Sequence, residues 1–448
     1  MFSKCHNTSM VSTLIDNGVI LWKEYCKSVT LIGIATGGLE CDLELLLSCV
    51  HDVMIFSIGK KELEEIKNID QVKRDLRQCY PLLDYLLESL DPNTVSSTLP
   101  TLALDLIQSI LCTQAQQLQQ ALDHYAESVS GRWACLSING HLVATSSDFH
   151  ELDPRETRLL LLLTTAQDGA PLRETPVYLP QMSPSVAFRA ITCKLLADVY
   201  ILVICGATPP LSQIDEIVLQ CWEGYAQTIK ESKLIYPRNF PMSITFEPCV
   251  FGVLVVNINN RRCVFSRHLH PPNQKGRATS GAHRMDILRT FYVTSCKDLA
   301  PELKMKETEE ASQTVASMTE TYWCSEYHKC HAQRSQNLLC CVLYAPTVQI
   351  HTMRLITRQI LQDLSSNKDV YCDLEQVRDD PGDGGDADEA RVHEVGALEA
   401  HAGHEAVRHH VAARPEQRAV RRHAAARAQV LLPAELRPAA TEHARTAL

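Results

Sequence analysis

The densest set of metal-binding side chains is "WCSEYHKCH" (323–331). On one extended strand, alternate residues face one way, so Cys324, His328 and Cys330 would share a face. Zinc takes thiolate and imidazole ligands in a tetrahedral array, usually from two separated loops. Cys340 or Cys341, one apolar stretch further on, are the residues that would have to complete the set. The competing reading is a strand whose cysteines are buried in a sheet. "HEAVRHH" (404–410) resembles the H-E-x-x-H metalloprotease pattern, but Arg408 stands where the second histidine belongs. His409 follows His404 by five residues, ~140° around a helix, so the two do not share a face. "QKGRATSGAH" (274–283) is basic and glycine-containing but lacks G-x-x-x-x-G-K-[ST], the loop that cradles phosphates. "DPGDGGDADEA" (380–390) has neither the acid spacing nor the downstream glutamate of a calcium loop. No G-x-S-x-G elbow occurs. The expectation from these residues is no catalytic side chain, no cofactor and no metal.

Composition narrows the classes further. Net charge is −10 over 448 residues, so the chain has no electrostatic footprint for nucleic acid. Hydrophobic residues make up 45% and charged residues 21%, enough for two to four domains with buried cores. Eighteen cysteines are scattered without a C-x-x-C, which reads as reduced thiols acting as small apolar groups in a cytosolic protein. Met1 is not followed by a basic segment and apolar core. Apolar runs such as "VYILVICGA" (199–207) are shorter than the ~20 residues a membrane helix needs. Lysine is absent after Lys368. From there the chain turns to Ala, Arg, Glu and His, and is expected to be disordered.

The order of elements repeats. "RWACLSINGHLVATSSD" (132–148) is strand, Asn139-Gly140, strand, with the dipeptide of a type I′ turn. "DPRETRLLLLLTTA" (153–166) opens a helix with an Asp N-cap and Pro154 at its first position. Strands at 175–182, 187–196 and 198–207 follow, and then a helix over 211–231. The pattern recurs from Cys249: a hairpin about Asn259-Asn260, a helix near 283–296, strands at 321–332 and 337–345, and a helix over 349–363. Residues 1–90 fit only its second half, with strands at 9–16, 18–26 and 28–36 and a helix at 41–59. The second half of that helix is open between helix and strand. A helix over 72–90 is expected to kink at Pro81, and another is expected over 102–125.

Strand–strand–helix–three strands–helix is the longin pattern. The chain resembles the tri-longin family through "GVILWKEYCKSVTLI" (18–32), "KKELEEIKNIDQVKRDLRQCYPLLDYLL" (60–87), "TPVYLPQMSPSVAFRAIT" (175–192), "ILVICGATPPLSQI" (201–214) and "RRCVFS" (261–266). The fold class is therefore α+β: three tandem longin-type units, each a five-stranded antiparallel sheet flanked by helices. The expected units are 1–91, 92–235 and 236–368, followed by a disordered or wrongly spliced tail at 369–448. The first is expected to lack an N-terminal hairpin and helix, as if Met1 were an internal start.

The resemblance implies a planar-polarity and ciliogenesis effector that is no enzyme. It implies a partner, Inturned, itself built of longin units. By analogy with the Mon–Ccz and Hermansky–Pudlak complexes, the pair would form an exchange-factor platform for a Rab-type small GTPase. The alternative is a scaffold that recruits a GTPase, intraflagellar transport machinery and other ciliogenesis and planar polarity effector subunits to basal bodies. Expected locations are cytoplasm, cytoskeleton and cilium base. Longin pairs meet through the first helix and third strand of their first units. The third strand here is about 10–15, so Val11, Leu14 and Ile15 are the partner-interface candidates, and half of that interface is expected to be missing. Lys60-Lys61, Lys73-Arg74 and Arg261-Arg262 read as surface charge, with a phosphoinositide membrane surface as the ligand they would meet if clustered.

Overall fold

The structure, a computed structural model, describes residues 12–15, 18–26, 29–36, 40–90, 105–166, 170–206, 208–266, 269, 281–303, 318–367 and 429–431. β1 (Ser12–Ile15), β2 (Gly18–Cys26) and β3 (Val29–Thr36) form an antiparallel meander. α1 (Glu40–Ile58) is helical throughout, which settles the open second half. Leu47, Val53 and Phe56 lie on different sides of it and all are buried. A helix with so wide an apolar surface packs between two layers. α1 packs on β2 and β3 with one side and on the sheet of the second unit with the other.

α2 (Lys60–Glu64) and α3 (Ile69–Leu76) follow. Asn68 caps α3, its Oδ1 accepting from the backbone N–H of Asp70 and Gln71 at 3.0 and 3.2 Å. The expected single helix over 72–90 is two helices. A 3₁₀ turn at Arg77–Cys79 separates α3 from α4 (Tyr80–Leu90). Pro81 is the second residue of α4, where its missing N–H has no helical partner to lose.

The expected helix over 102–125 is also corrected. Its described first part, from Asp105, is not helical and contains β4 (Ile107–Gln108); the helix is Ala115–Ser128, α5. Tertiary pairing overrides local propensity here, because this segment completes two neighbouring sheets. β5 (Gly131–Ile138) and β6 (His141–Thr145) form the expected hairpin. Asn139 and Gly140 take φ of 51° and 74°, both left-handed as a type I′ turn requires.

α6 (Pro154–Thr165) begins with a capping box. Asp153 Oδ1 accepts from the Arg155 N–H at 2.8 Å, and Glu156 Oε2 accepts from the Asp153 N–H at 3.2 Å. β7 (Leu172–Leu179), β8 (Ser183–Leu196) and β9 (Val199–Cys205) complete a sheet of order β6-β5-β9-β8-β7. Over it lie α5, α7 (Leu211–Trp222) and α8 (Ala226–Ile235). The expected continuous helix 211–231 is divided by a 3₁₀ turn at Glu223–Tyr225 that contains Gly224.

β10 (Val250–Asn257), β11 (Arg262–Ser266), α9 (Gly281–Leu299), β12 (Glu320–Cys324), β13 (Lys329–Ser335), β14 (Leu338–Tyr344) and α10 (Ile350–Ser366) repeat the arrangement. Their sheet order is β12-β13-β14-β10-β11, with β4 added beyond β11. The 321–332 stretch is thus a hairpin, β12 to β13, and not one strand. α9 covers one sheet face and α10 the other. After residue 368 only β15 (Gln429–Leu431) is described, paired antiparallel with β3.

Candidate functional site

The chemistry-bearing residues do not converge. Cys324 stands opposite Lys329, and Trp323 opposite Cys330, so Cys324 and Cys330 sit on opposite faces of the sheet. His328 lies in the turn between them, its ring edge-on to Trp323 at 5.9 Å. Cys340 and Cys341, adjacent on β14, also part: Cys340 joins the core under α10 and Cys341 the core under α9. Burial pushes the Cys340 thiol up to about 12 and raises Cys330 and Cys341 too. A buried neutral thiol is a packing group. Among the described residues, no three His, Cys, Asp or Glu side chains gather as a metal site would require. His404, Arg408, His409 and the 380–390 acidic run lie outside the described residues, as do residues 274–280.

His331, which spacing did not single out, anchors a buried polar chain instead. Its Nδ1 is 2.8 Å from Thr357 Oγ1, and Tyr344 Oη is 2.8 Å from the same hydroxyl and donates to the Met353 carbonyl at 3.0 Å. Glu320 sits beside His331 and accepts from Arg354 Nε at 2.9 Å. Those two neighbours, His331 foremost, hold its carboxyl below the usual range. The network ties β12, β13 and β14 to α10. A separate cavity of about 290 Å³ is lined by residues including Cys112, Gln114, Glu231, Ser232 and Met242. Its lining holds no histidine, lysine or arginine, so it offers no cationic clamp, and its Glu231 carboxylate is engaged by Gln114 Nε2 at 2.9 Å.

What the fold does present is a sheet edge. β1 is the outermost strand of the first unit, bonded on one side to β2. Leu14 is 79% exposed and Ile15 43% exposed. Val11 lies outside the described residues. β1 carries no charge and no proline, the two features that usually protect an edge from pairing. Behind β1, Lys23 of β2 holds Glu44 of α1 at 3.1 Å, and Tyr25 stacks on His51 at 4.1 Å between ring centres. Burial, with Lys60 and Lys23 nearby, lowers His51 to about 4, and burial raises Asp52 to about 6.

Asp105 binds Arg158 of α6 and Arg261 ahead of β11 through its two carboxylate oxygens. Arg158 is 7% exposed and also neighbours Cys49 and Asp52 of α1. One buried cationic centre therefore touches all three units. The segment beyond Asp105 closes the joint: β4 pairs parallel with β11, and Ser109 bridges to Leu142 of β6. The Ile107 N–H donates to the Arg261 carbonyl at 2.9 Å and the Ile110 N–H to the Leu142 carbonyl at 2.9 Å. The second and third sheets thus share one strand. Sequence reading missed Asp105 because it lay in an expected helix. It missed Arg158, although a lone cation heading "RLLLLL" (158–163) is a signal of a buried ion. Arg261 and Arg262 are not surface charge, since Arg261 binds Asp105 and Arg262 is 6% exposed.

Comparison with known proteins agrees with this architecture. Residues 1–86, 130–223 and 249–368 match the models described as the first, second and third longin domains of FUZ, MON1 and HPS1. The chain is 28% identical over 378 residues to the Protein fuzzy homolog of Xenopus tropicalis, covering 81% of this chain and 88% of that protein. It is 30% identical over 298 residues to the human Protein fuzzy homolog, covering 65% and 68%. With the mouse Protein fuzzy homolog the identity is 28%, covering 71% and 75%. The chain belongs to the fuzzy family of proteins built from three consecutive longin domains.

Proposed function

We propose that the chain is a planar-polarity and ciliogenesis effector that pairs with Inturned to form an exchange platform for a Rab-type GTPase. The observation that carries this reading is the β1 edge: an uncharged strand with Leu14 and Ile15 exposed, set on a three-unit body. Pairing by strand addition uses backbone groups for affinity and alternate side chains for selectivity. Exchange on such a platform needs no acid, base or nucleophile in this chain. Nucleotide leaves when the platform binds the nucleotide-free GTPase more tightly than the loaded one, a difference in affinity between two states. The expected locations are cytoplasm and the base of the cilium, alongside other effector subunits. Any contact with an anionic lipid head group would fall to Lys60, Lys61, Lys73 and Arg74, since Arg261 is engaged by Asp105 and Arg262 is buried.

Release of fluorescent GDP from a panel of Rab GTPases, with and without the purified pair, tests the proposal. Acceleration supports it. Binding that depends on GTP without acceleration assigns the chain to the scaffold role, and neither effect removes both.

A further inference from the structure

Comparing the three sheets shows a second edge with a different history. In the second unit the strand before the closing helices, β9, lies between β8 and β5, and β5 pairs with it from Gly131↔Cys205 to Ile138↔Val199. In the third unit β14 lies likewise between β13 and β10, paired from Val250↔Tyr344 to Asn257↔Leu338. β3 is the same strand of the first unit, following β1 and β2 as β9 follows β7 and β8. Its second neighbour is β15, antiparallel as β5 and β10 are, and it covers only Ile32, Gly33 and Ile34.

We infer that the β3 edge is a strand-acceptor site, and that the chain's own segment about Gln429–Leu431 is its occupant, a short cis strand shielding it. Two features support this. Val430–Leu432 is the only run of three consecutive branched aliphatic residues after Lys368, and Pro433 ends it. β-Branched and aliphatic residues favour extended pairing, and proline stops a strand from running on. β3 itself, "VTLIGIAT", holds no charge and no proline, so uncovered it would offer backbone groups to a second copy of the chain. About sixty residues separate α10 from β15, and tethering makes the pairing intramolecular and favoured over a strand in trans. This site is the opposite edge of the sheet from β1, so its fate does not depend on the proposed pairing with Inturned.

The test uses the full chain alone. Successive residues of a strand point their N–H groups to opposite sides, so of Val430→Pro and Leu431→Pro one removes a donor from the β15–β3 ladder. Amide hydrogen exchange at Ile32, Gly33 and Ile34 is compared among wild type and both variants. The inference expects exchange in at least one of these amides to quicken by ~10-fold or more in one variant. It also expects that variant to self-associate by light scattering, and a peptide of residues 426–433 to reverse both changes. Unchanged exchange in both variants overturns the inference. Quickened exchange without peptide rescue also overturns it, because it shows strain elsewhere and no acceptor edge.

Discussion

Two joints in this molecule are built in contrasting ways. Between the second and third units, β4 lies against β11 and bridges to β6, and Asp105 fixes it between two arginines. At the first unit, β1 presents exposed aliphatic side chains on an edge with no strand beyond it among the described residues. The first joint is closed by strand pairing and a buried ion cluster. The second leaves one side of β1 without a described neighbour, the side the proposed partner would use. A platform needs both, because an edge that exchanges partners works only on a body that does not deform.

The largest effect is expected at the closed joint. Asp105→Ala leaves Arg158 buried without its carboxylate, and breaking a buried pair this way costs ~3–5 kcal/mol. Urea unfolding followed by tryptophan fluorescence measures the loss. A cost below ~1 kcal/mol would make the clamp no stronger than a surface ion pair. Leu47→Ala in α1 comes next, at ~2–5 kcal/mol, because the side chain is fully buried between the first unit's sheet and its neighbour. Gly33→Ala is smaller, at ~1–3 kcal/mol, since its new Cβ would come within 2.7 Å of Leu43 Cδ1.

Acid should separate two neighbouring groups of α1 by sign. His51 is held down to about 4 from 6.5. Its neutral form is favoured on folding, so its share of stability is complete above pH 6.5 and is lost as pH falls towards 4. Asp52, raised to about 6, acts oppositely, costing stability as pH rises from 4 through 6. Thermal unfolding of His51→Gln should show less loss than wild type between pH 6.5 and 4. Asp52→Asn should gain stability at pH 8 and little at pH 4. Variants that follow the wild type across this whole range would mean that these α1 side chains are solvated. The smallest stability change belongs to the open edge. Leu14→Lys, at a side chain 79% exposed, should stay within ~0.5 kcal/mol of wild type, while a charge on the edge should weaken strand addition.

Much of this was legible in the residues, unevenly. The hairpin at Asn139-Gly140 and the capping box at Asp153 and Glu156 declare themselves, because turn and cap chemistry is local. The repeating order of elements followed from spacing, whereas Leu14 and Ile15 came forward only through the longin resemblance. The joint was not legible. Residues 107–109 pair as strand only because two distant strands, β6 and β11, lie on either side. Arg261 looked like surface charge because its partner Asp105 lies 156 residues away in sequence. The zinc grouping failed because a four-residue turn at 325–328 folds Cys324 and Cys330 onto opposite faces, and side-chain alternation carries no information across a turn.

The most direct test of the platform account is GDP release from a panel of Rab GTPases by the pair formed with Inturned, comparing wild type with Leu14→Lys. The account predicts that one GTPase loses nucleotide at least ~10-fold faster with the wild-type pair, a barrier change of ~1.4 kcal/mol, and that Leu14→Lys abolishes most of that gain without unfolding the chain. Equal release with and without the pair for every GTPase, or full acceleration by Leu14→Lys, would contradict it.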